Sequence, residues 1–355
     1  MINIFAKIKG LERYCFHMKL RYALLLAILL LSIVFVSGCI QQAPAQSVPT
    51  QPSTVTPMPE SESAQTSQPT QEPTVTAQSE FNFEWSEDSG TRISDGSVPY
   101  IYRLKDGRFR LYYCSAGGIL SAISSDGLNF EKEAGVRIAP SGGQESMVCD
   151  ATIVELPDGR IRMYYKGASG QGGPGQALHK VFSAVSQDGL NFEKEGLRID
   201  SESTGDGGWA SVPEAIKLPD GRVRIYYVSN DPEAEGGIMS AVSQDGLSFQ
   251  KEPGARLKGF VDPAVIILPN GKYLLLAVVL PEVAERRGIR VGIYSFISDD
   301  GLTFSNQQPV LIDGTLDPSI VPLSRETYRV FYGRLTVINN RPNISIMSIT
   351  GRLRK

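Results

Sequence analysis

Four acidic residues, Asp150, Glu214, Asp262 and Asp317, stand at related places in a sequence that repeats itself. Carboxyls gathered in one place can do acid–base chemistry. Crowding and burial favour the protonated form of one while a neighbour stays ionised, and that supplies a proton donor beside a proton acceptor. Aligning the repeats on their Leu-Pro-Asp-Gly turns puts Asp150, Asp262 and Asp317 at one equivalent position, with Glu214 two residues further along. Side chains alternate along a strand with period two, so all four are expected on one face. The first repeat carries Val98 at this position, and its Asp95 lies three residues earlier, out of phase.

The elements that position these residues are legible in the repeat. SAISSDGLNFEKEAGVRI at 121–138 recurs at 183–199, 240–257 and 295–312. A second unit, YIYRLKDGRFRLYY at 100–113, precedes each copy and recurs at 152–165, 215–227, 264–276 and 319–332. A spacing of roughly 50–60 residues points to a propeller or a solenoid. Runs such as Arg222-Val-Arg-Ile-Tyr-Tyr227 alternate polar and apolar, the period of a half-buried strand. Asp-Gly or Asn-Gly between paired runs supplies the positive φ of a tight hairpin. The 35 glycines and 22 prolines suit an all-β chain of short strands rather than long helices.

Each unit therefore predicts a four-stranded meander. The fifth ends at Lys355 without an Asp-Gly-Leu-x-Phe strand, and residues 81–93, FNFEWSEDSGTRI, resemble the missing piece. The expected fold is a five-bladed β-propeller over 81–355, its ring closed by the N-terminal strand completing the last blade. The long connections, 139–149, 167–178, 200–211 and 280–290, share one rim with the starts of the inner strands. Function concentrates on loops held by a rigid scaffold, so the site is expected there, over blades 2, 3 and 4.

Five blades with Asp-Pro opening inner strands (Asp262-Pro-Ala-Val, Asp317-Pro-Ser-Ile) resemble the glycoside hydrolase propellers of the arabinanase, levansucrase and invertase superfamily, including family 43. The resemblance implies an Asp base, an Asp that orients and tunes, and a Glu acid converging on the channel mouth, with inversion where water fits between them. In a hydrolase, Asp150, Glu214 and Asp262, from adjacent blades 2, 3 and 4, in one strand phase and beneath the longest loops, are the expected catalytic face, with Glu214, flanked by two aspartates, the proton donor. Asp317, Trp209, His179 and Glu145 would then contact substrate. The family's Glu-Gly-Pro acid motif is absent, and Val212-Pro-Glu214-Ala is similar to its non-catalytic Ala-Pro-Asp/Glu segment. Two readings follow: a glycosidase acting on extracellular saccharide, or a non-catalytic propeller binding glycan or protein.

Ser-x-Asp-Gly-x-x-Phe also resembles the sialidase Asp-box, a turn-stabilising device, so Asp126, Asp188, Asp245 and Asp300 are read as structural. Arg286 and Arg287 suit either an anion or plain solvation. The glycine-rich 167–176 lacks the strand–helix context of a phosphate loop and reads as a lip. No His, Cys and carboxylate spacing suggests a metal, and no cofactor is expected. Cys114 ends one strand near the rim where Cys149 begins another, which allows a disulfide in an oxidising compartment.

The N-terminus reads as targeting. Lys19 and Arg21 precede an apolar run, 22–36, and Val-Ser-Gly-Cys39. This is a secretory signal with a Cys resembling the lipobox of prokaryotic lipoproteins, which implies cleavage after residue 38 and a lipid on Cys39. Met18 opens a well-formed signal by itself, so it is an alternative start. Pro, Gln, Ser and Thr fill 28 of the 40 positions 40–79, a composition that cannot offset its ordering entropy. Residues 39–80 are thus expected to be a disordered tether at the extracytoplasmic face of a cell membrane. Without residues 1–38 the chain holds 30 basic and 37 acidic residues, which gives no electrostatic reason to bind nucleic acid. The expected partners are an extracellular saccharide or a surface protein, with the chain itself a monomer.

Overall fold

The computed structural model describes residues 82–169, 177–312, 314–338 and 341–354. The signal, Cys39, the tether and most of the glycine-rich lip lie outside the described residues. Five four-stranded antiparallel sheets form a ring, a five-bladed β-propeller. Blade 1 holds β2 (Ser97–Arg103), β3 (Phe109–Ser115), β4 (Gly118–Ser124) and β5 (Glu131–Lys132). Blade 2 holds β6 (Met147–Glu155), β7 (Ile161–Ala168), β8 (His179–Ser186) and β9 (Glu193–Ile199). Blade 3 holds β10 (Ala210–Lys217), β11 (Val223–Ser229), β12 (Ile238–Ser243) and β13 (Gln250–Lys251). Blade 4 holds β14 (Phe260–Ile267), β15 (Tyr273–Val279), β16 (Gly292–Ser298) and β17 (Ser305–Ile312). Blade 5 holds β18 (Thr315–Pro322), β19 (Thr327–Ile338) and β20 (Arg341–Leu353), and its outer strand is β1 (Phe83–Glu87). β1 pairs antiparallel with β20 from Phe83↔Leu353 to Glu87↔Ile349. Among the described residues no helix is long and apolar enough to cross a membrane.

The repeat encodes the contacts between blades. Tyr112, Tyr164 and Tyr226 are fully buried, and each hydroxyl donates to the carbonyl of a glycine in the next blade's Asp-Gly turn: Gly189 at 2.9 Å, Gly246 at 2.7 Å and Gly301 at 2.8 Å. Arg110, Arg162 and Arg224 reach the carbonyls of Asp188, Asp245 and Asp300 in the same turns, and each also pairs with a glutamate, Glu133, Glu195 or Glu252. Only glycine fits beneath them. Gly189 has φ 72°, and a Cβ there would lie 2.6 Å from Arg110 and 2.8 Å from Tyr112. The aspartate of each turn accepts two backbone N–H groups, as Asp188 does from Leu190 and Asn191 at 2.8 and 2.9 Å. That is the structural role the sequence suggested.

Blade 4 departs from this pattern at the one junction that requires it. Its outward neighbour is β1, which has no Asp-Gly turn to receive an arginine and a tyrosine. Blade 4 carries Leu274 and Leu276 at those positions, both fully buried in one cluster with Phe83 and against Trp85. Blade 5 restores the polar link. Arg329 donates to the carbonyl of Asp126 in blade 1 at 3.0 Å and pairs with Asp88, just beyond β1, at 3.1 Å. Leu274→Arg, although it restores the repeat's own residue, should bury an unpartnered charge and lower unfolding stability by about 3 kcal/mol or more. Denaturant unfolding at or above the parent's stability would contradict this account of the closure.

Candidate active site at the mouth of the channel

Every inner strand begins with the same irregularity. The ladder between first and second strands shifts at Ser97/Tyr100, Cys149/Thr152, Ser211/Glu214, Val261/Ala264 and Leu316/Ser319. Two residues there oppose one, which is a β-bulge. The first bulged residue has positive φ in all five blades: Val98 49°, Asp150 57°, Val212 48°, Asp262 55° and Asp317 50°. Aspartate tolerates this region better than most residues, whereas for β-branched valine it is a strained outlier. Proline follows in four blades (Pro99, Pro213, Pro263, Pro318), where a lost N–H costs little because the ladder is already interrupted. The bulge breaks the strict alternation expected along these strands. Asp150, Glu214, Asp262 and Asp317 nevertheless line one cavity, with Val98, Tyr100 and Val212. Its volume is about 20 Å³, room for about one water.

The carboxyls differ in their surroundings. Asp150 is 4% exposed and its Oδ2 lies 2.6 Å from Nζ of Lys166, whose side chain is 12% exposed. Burial works against the Lys166 charge, but Asp150, Asp317 and Asp262 hold its ammonium above the usual range. Asp262 and Asp317 are partly exposed. Burial and then the charge of Asp150 push Asp262 up to about 6, against the N–H of Asp317 and the Lys166 charge. Burial and the neighbouring Asp262 and Asp150 push Asp317 well above the usual carboxylate range, with Lys166 pulling back.

Glu214 has a different post. Its Oε1 accepts the backbone N–H of Val265 in blade 4 at 3.2 Å. Thr152 and Ser319, at the equivalent place in blades 2 and 5, likewise accept from Ala215 and Ile101, each at 3.0 Å. Glu214 is therefore a blade-to-blade link as well as part of the cavity wall. Burial pushes its carboxyl up to about 8, against the hydrogen bonds from Val265 and Thr152.

Sequence reasoning missed Lys166. Its counterparts on the second strands, by pairing, are Cys114, Val228, Val278 and Gly333. The signal was Tyr164-Tyr165-Lys166 set against Tyr112-Tyr113-Cys114 and Tyr226-Tyr227-Val228. One charge replaces small or apolar residues around a ring.

On the rim, His179 stacks on Trp209 with ring centroids 3.6 Å apart, and its Nδ1 lies 3.0 Å from Oγ of Ser211. Burial and then the Lys166 charge push the imidazole down to about 4, against Asp150. Glu145 accepts the Tyr165 hydroxyl at 2.7 Å and pairs with Lys194 at 2.9 Å, so its charge is engaged. Arg286 pairs with Glu235 at 3.2 Å, and Arg287 lies 5.4 Å over the ring of Phe260. Both arginines lie in the last turn of helix α1 (Pro281–Arg287) in the blade 4 connection. Cys114 and Cys149 form a disulfide, Cα–Cα 5.4 Å, and the backbone N–H of Asp150 lies 3.2 Å from Sγ of Cys114. Cys114, Cys149 and Asp150 are the one group with metal-ligand spacing among the described residues, and the bonded sulfurs are not thiolate donors.

Solved structures share this fold. A thermostable family 43 glycoside hydrolase superposes with TM-score 0.54 at 16% identity, over 73% of this chain and 95% of that one. The propeller is structurally similar to family 43 glycoside hydrolases. An α-L-arabinofuranosidase from Lactobacillus brevis gives 0.55 at 15% identity, over 74% and 91% of the two chains. A family 43 β-1,3-galactosidase with galactodeoxynojirimycin gives 0.53 at 14%, over 73% and 98%. No family model and no curated protein matches the sequence.

Lys166→Met should leave the buried Asp150 unpaired and cost about 3–5 kcal/mol in denaturant unfolding. Adding Asp150→Leu should recover much of that loss. Unchanged stability in the single variant would show that the pair does not hold the cluster together.

Proposed function

We propose that this chain is a glycosidase-type propeller, tethered through a lipid on Cys39 and acting on extracellular saccharide at the mouth of its channel. The observation that carries the reading is the unequal treatment of three neighbouring aspartates. Lys166 is paired with Asp150, while Asp262 and Asp317 are pushed up and share proton affinity. Buried carboxyls held above the ordinary range beside an ion-paired one suit an acid–base pair. One member of the Asp262/Asp317 pair gives its proton to the glycosidic oxygen. The ionised member takes a proton from water as that water attacks the anomeric carbon. The bond to the leaving sugar breaks, and the two carboxyls exchange roles as the proton returns. Trp209, its ring half-buried against His179, offers a face for a sugar ring at the rim. Asp150 and Glu214 then position and hold the site rather than touch the reacting atoms.

A second reading, a glycan-binding propeller without hydrolysis, is favoured by the small space between the carboxyls and by the engagement of Asp150 and Glu214 with Lys166 and Val265. Incubation of the full chain with an oligosaccharide panel, followed by product analysis, separates the two. Hydrolysis should fall about a thousandfold in Asp262→Asn with binding retained. Binding without products in the parent protein supports the second reading, and neither binding nor products removes both. The tether predicts an acyl-modified Cys39 as the first residue of the mature protein by mass spectrometry; an intact 1–38 segment there would overturn it.

A further inference from the structure

The rim opposite the candidate site is uneven. The inner strands end there at Arg103, Glu155, Lys217, Ile267 and Pro322, so blades 1 to 3 present charge and blades 4 and 5 present apolar side chains. The hairpins of blades 1 to 3 carry self-contained pairs, Asp106–Arg108, Asp158–Arg160 and Asp220–Arg222. Blade 5 has Leu323-Ser324-Arg325-Glu326 in place of that turn. Between blades 4, 5 and 1 these changes leave a hollow of about 300 Å³, the lower end of the size range of small-molecule sites.

Its apolar wall comes from Ile266, Ile267, Pro322 and Leu323, and Arg103 and Arg325 border it. Neither guanidinium has an acidic partner among the described residues. Arg103 lies 5.7 Å over the ring of Phe109. The backbone at Arg325 is held by the buried Tyr328, whose hydroxyl donates to its carbonyl at 3.1 Å. An isolated surface arginine is ordinary, but two unpaired guanidiniums at the edge of one apolar hollow combine charge with a water-excluding wall. That combination recognises a molecule with an acidic head and an apolar body.

We propose that this hollow binds a small anionic amphiphile, its acid head on Arg103 and Arg325 and its chain against Ile266, Ile267, Pro322 and Leu323. The site is separate from the carboxylate cluster, and the chain enters the propeller on this same rim, where the N–H of Leu353, the partner of Phe83, bonds the carbonyl of Glu326. Calorimetric titration of the full chain with octanoate, octanol and inorganic sulfate tests it. Octanoate should bind at one saturable site, octanol and sulfate at least tenfold more weakly. Arg325→Gln and Arg103→Gln should each weaken octanoate by about tenfold without altering thermal stability, since both side chains are exposed. Octanol binding as tightly as octanoate, an unchanged double variant, or no octanoate binding would each overturn the proposal. None of these outcomes bears on the saccharide reading, which concerns the other rim.

Discussion

The site depends on one backbone constraint, a left-handed residue at the start of every inner strand. Five bulges at positive φ turn five side chains toward the axis of the ring at a single level. In a regular strand the same residues would all stand on a face of their own sheet rather than at its inner edge. Positive φ costs a non-glycine residue energy, and that energy persists only where the surroundings over-determine the conformation. Here the surroundings are the neighbouring inner strands. Thr152, Glu214 and Ser319 each accept a backbone N–H from the next blade, so the bulges of blades 2, 3 and 5 are tied to their neighbours. Three of the five positions are aspartate and two are valine. Only the aspartates bring carboxyls to the cavity, and the valines keep the geometry without one.

The outer parts of the blades divide the labour differently. Arginine, tyrosine and glutamate join each blade to the next through Asp-Gly turns, and these repeated contacts account for most of what the sequence repeats. Four departures from the repeat answer a local need. Leu274 and Leu276 meet an outer strand that lacks the turn. Cys114 and Lys166 replace apolar counterparts around the channel, one to staple Cys149 and one to pair with Asp150. The residues that break the repeat are therefore the informative ones for both closure and site.

This explains what could be read in advance. Blade number, the composite fifth blade and the structural role of Asp126, Asp188, Asp245 and Asp300 all follow from local turn chemistry and a repeated period, which act over a few residues. The common position of Asp150, Asp262 and Asp317 was legible for the same reason. The bulges were not, because Val-Pro and Asp-Pro advertise an extended strand rather than a left-handed residue. Without the bulge, Glu214 reads as a fourth equal carboxyl; with it, the side chain reaches Val265. Lys166 escaped because strand phase was followed along the inner strands alone, while its partner lies across the ladder on β6.

The channel mouth holds Asp262 and Asp317 above the ordinary carboxylate range, and the acid–base capacity of the site depends on that rise. Carbon-13 NMR titration of the aspartate carboxyls tests it most directly, with assignment by Asp262→Asn and Asp317→Asn. The account predicts one step near pH 6 assigned to Asp262 and a second, belonging to Asp317, displaced well above the ordinary range, each moving when the other is replaced. Two independent steps near pH 4, unaffected by the neighbour's replacement, would contradict it.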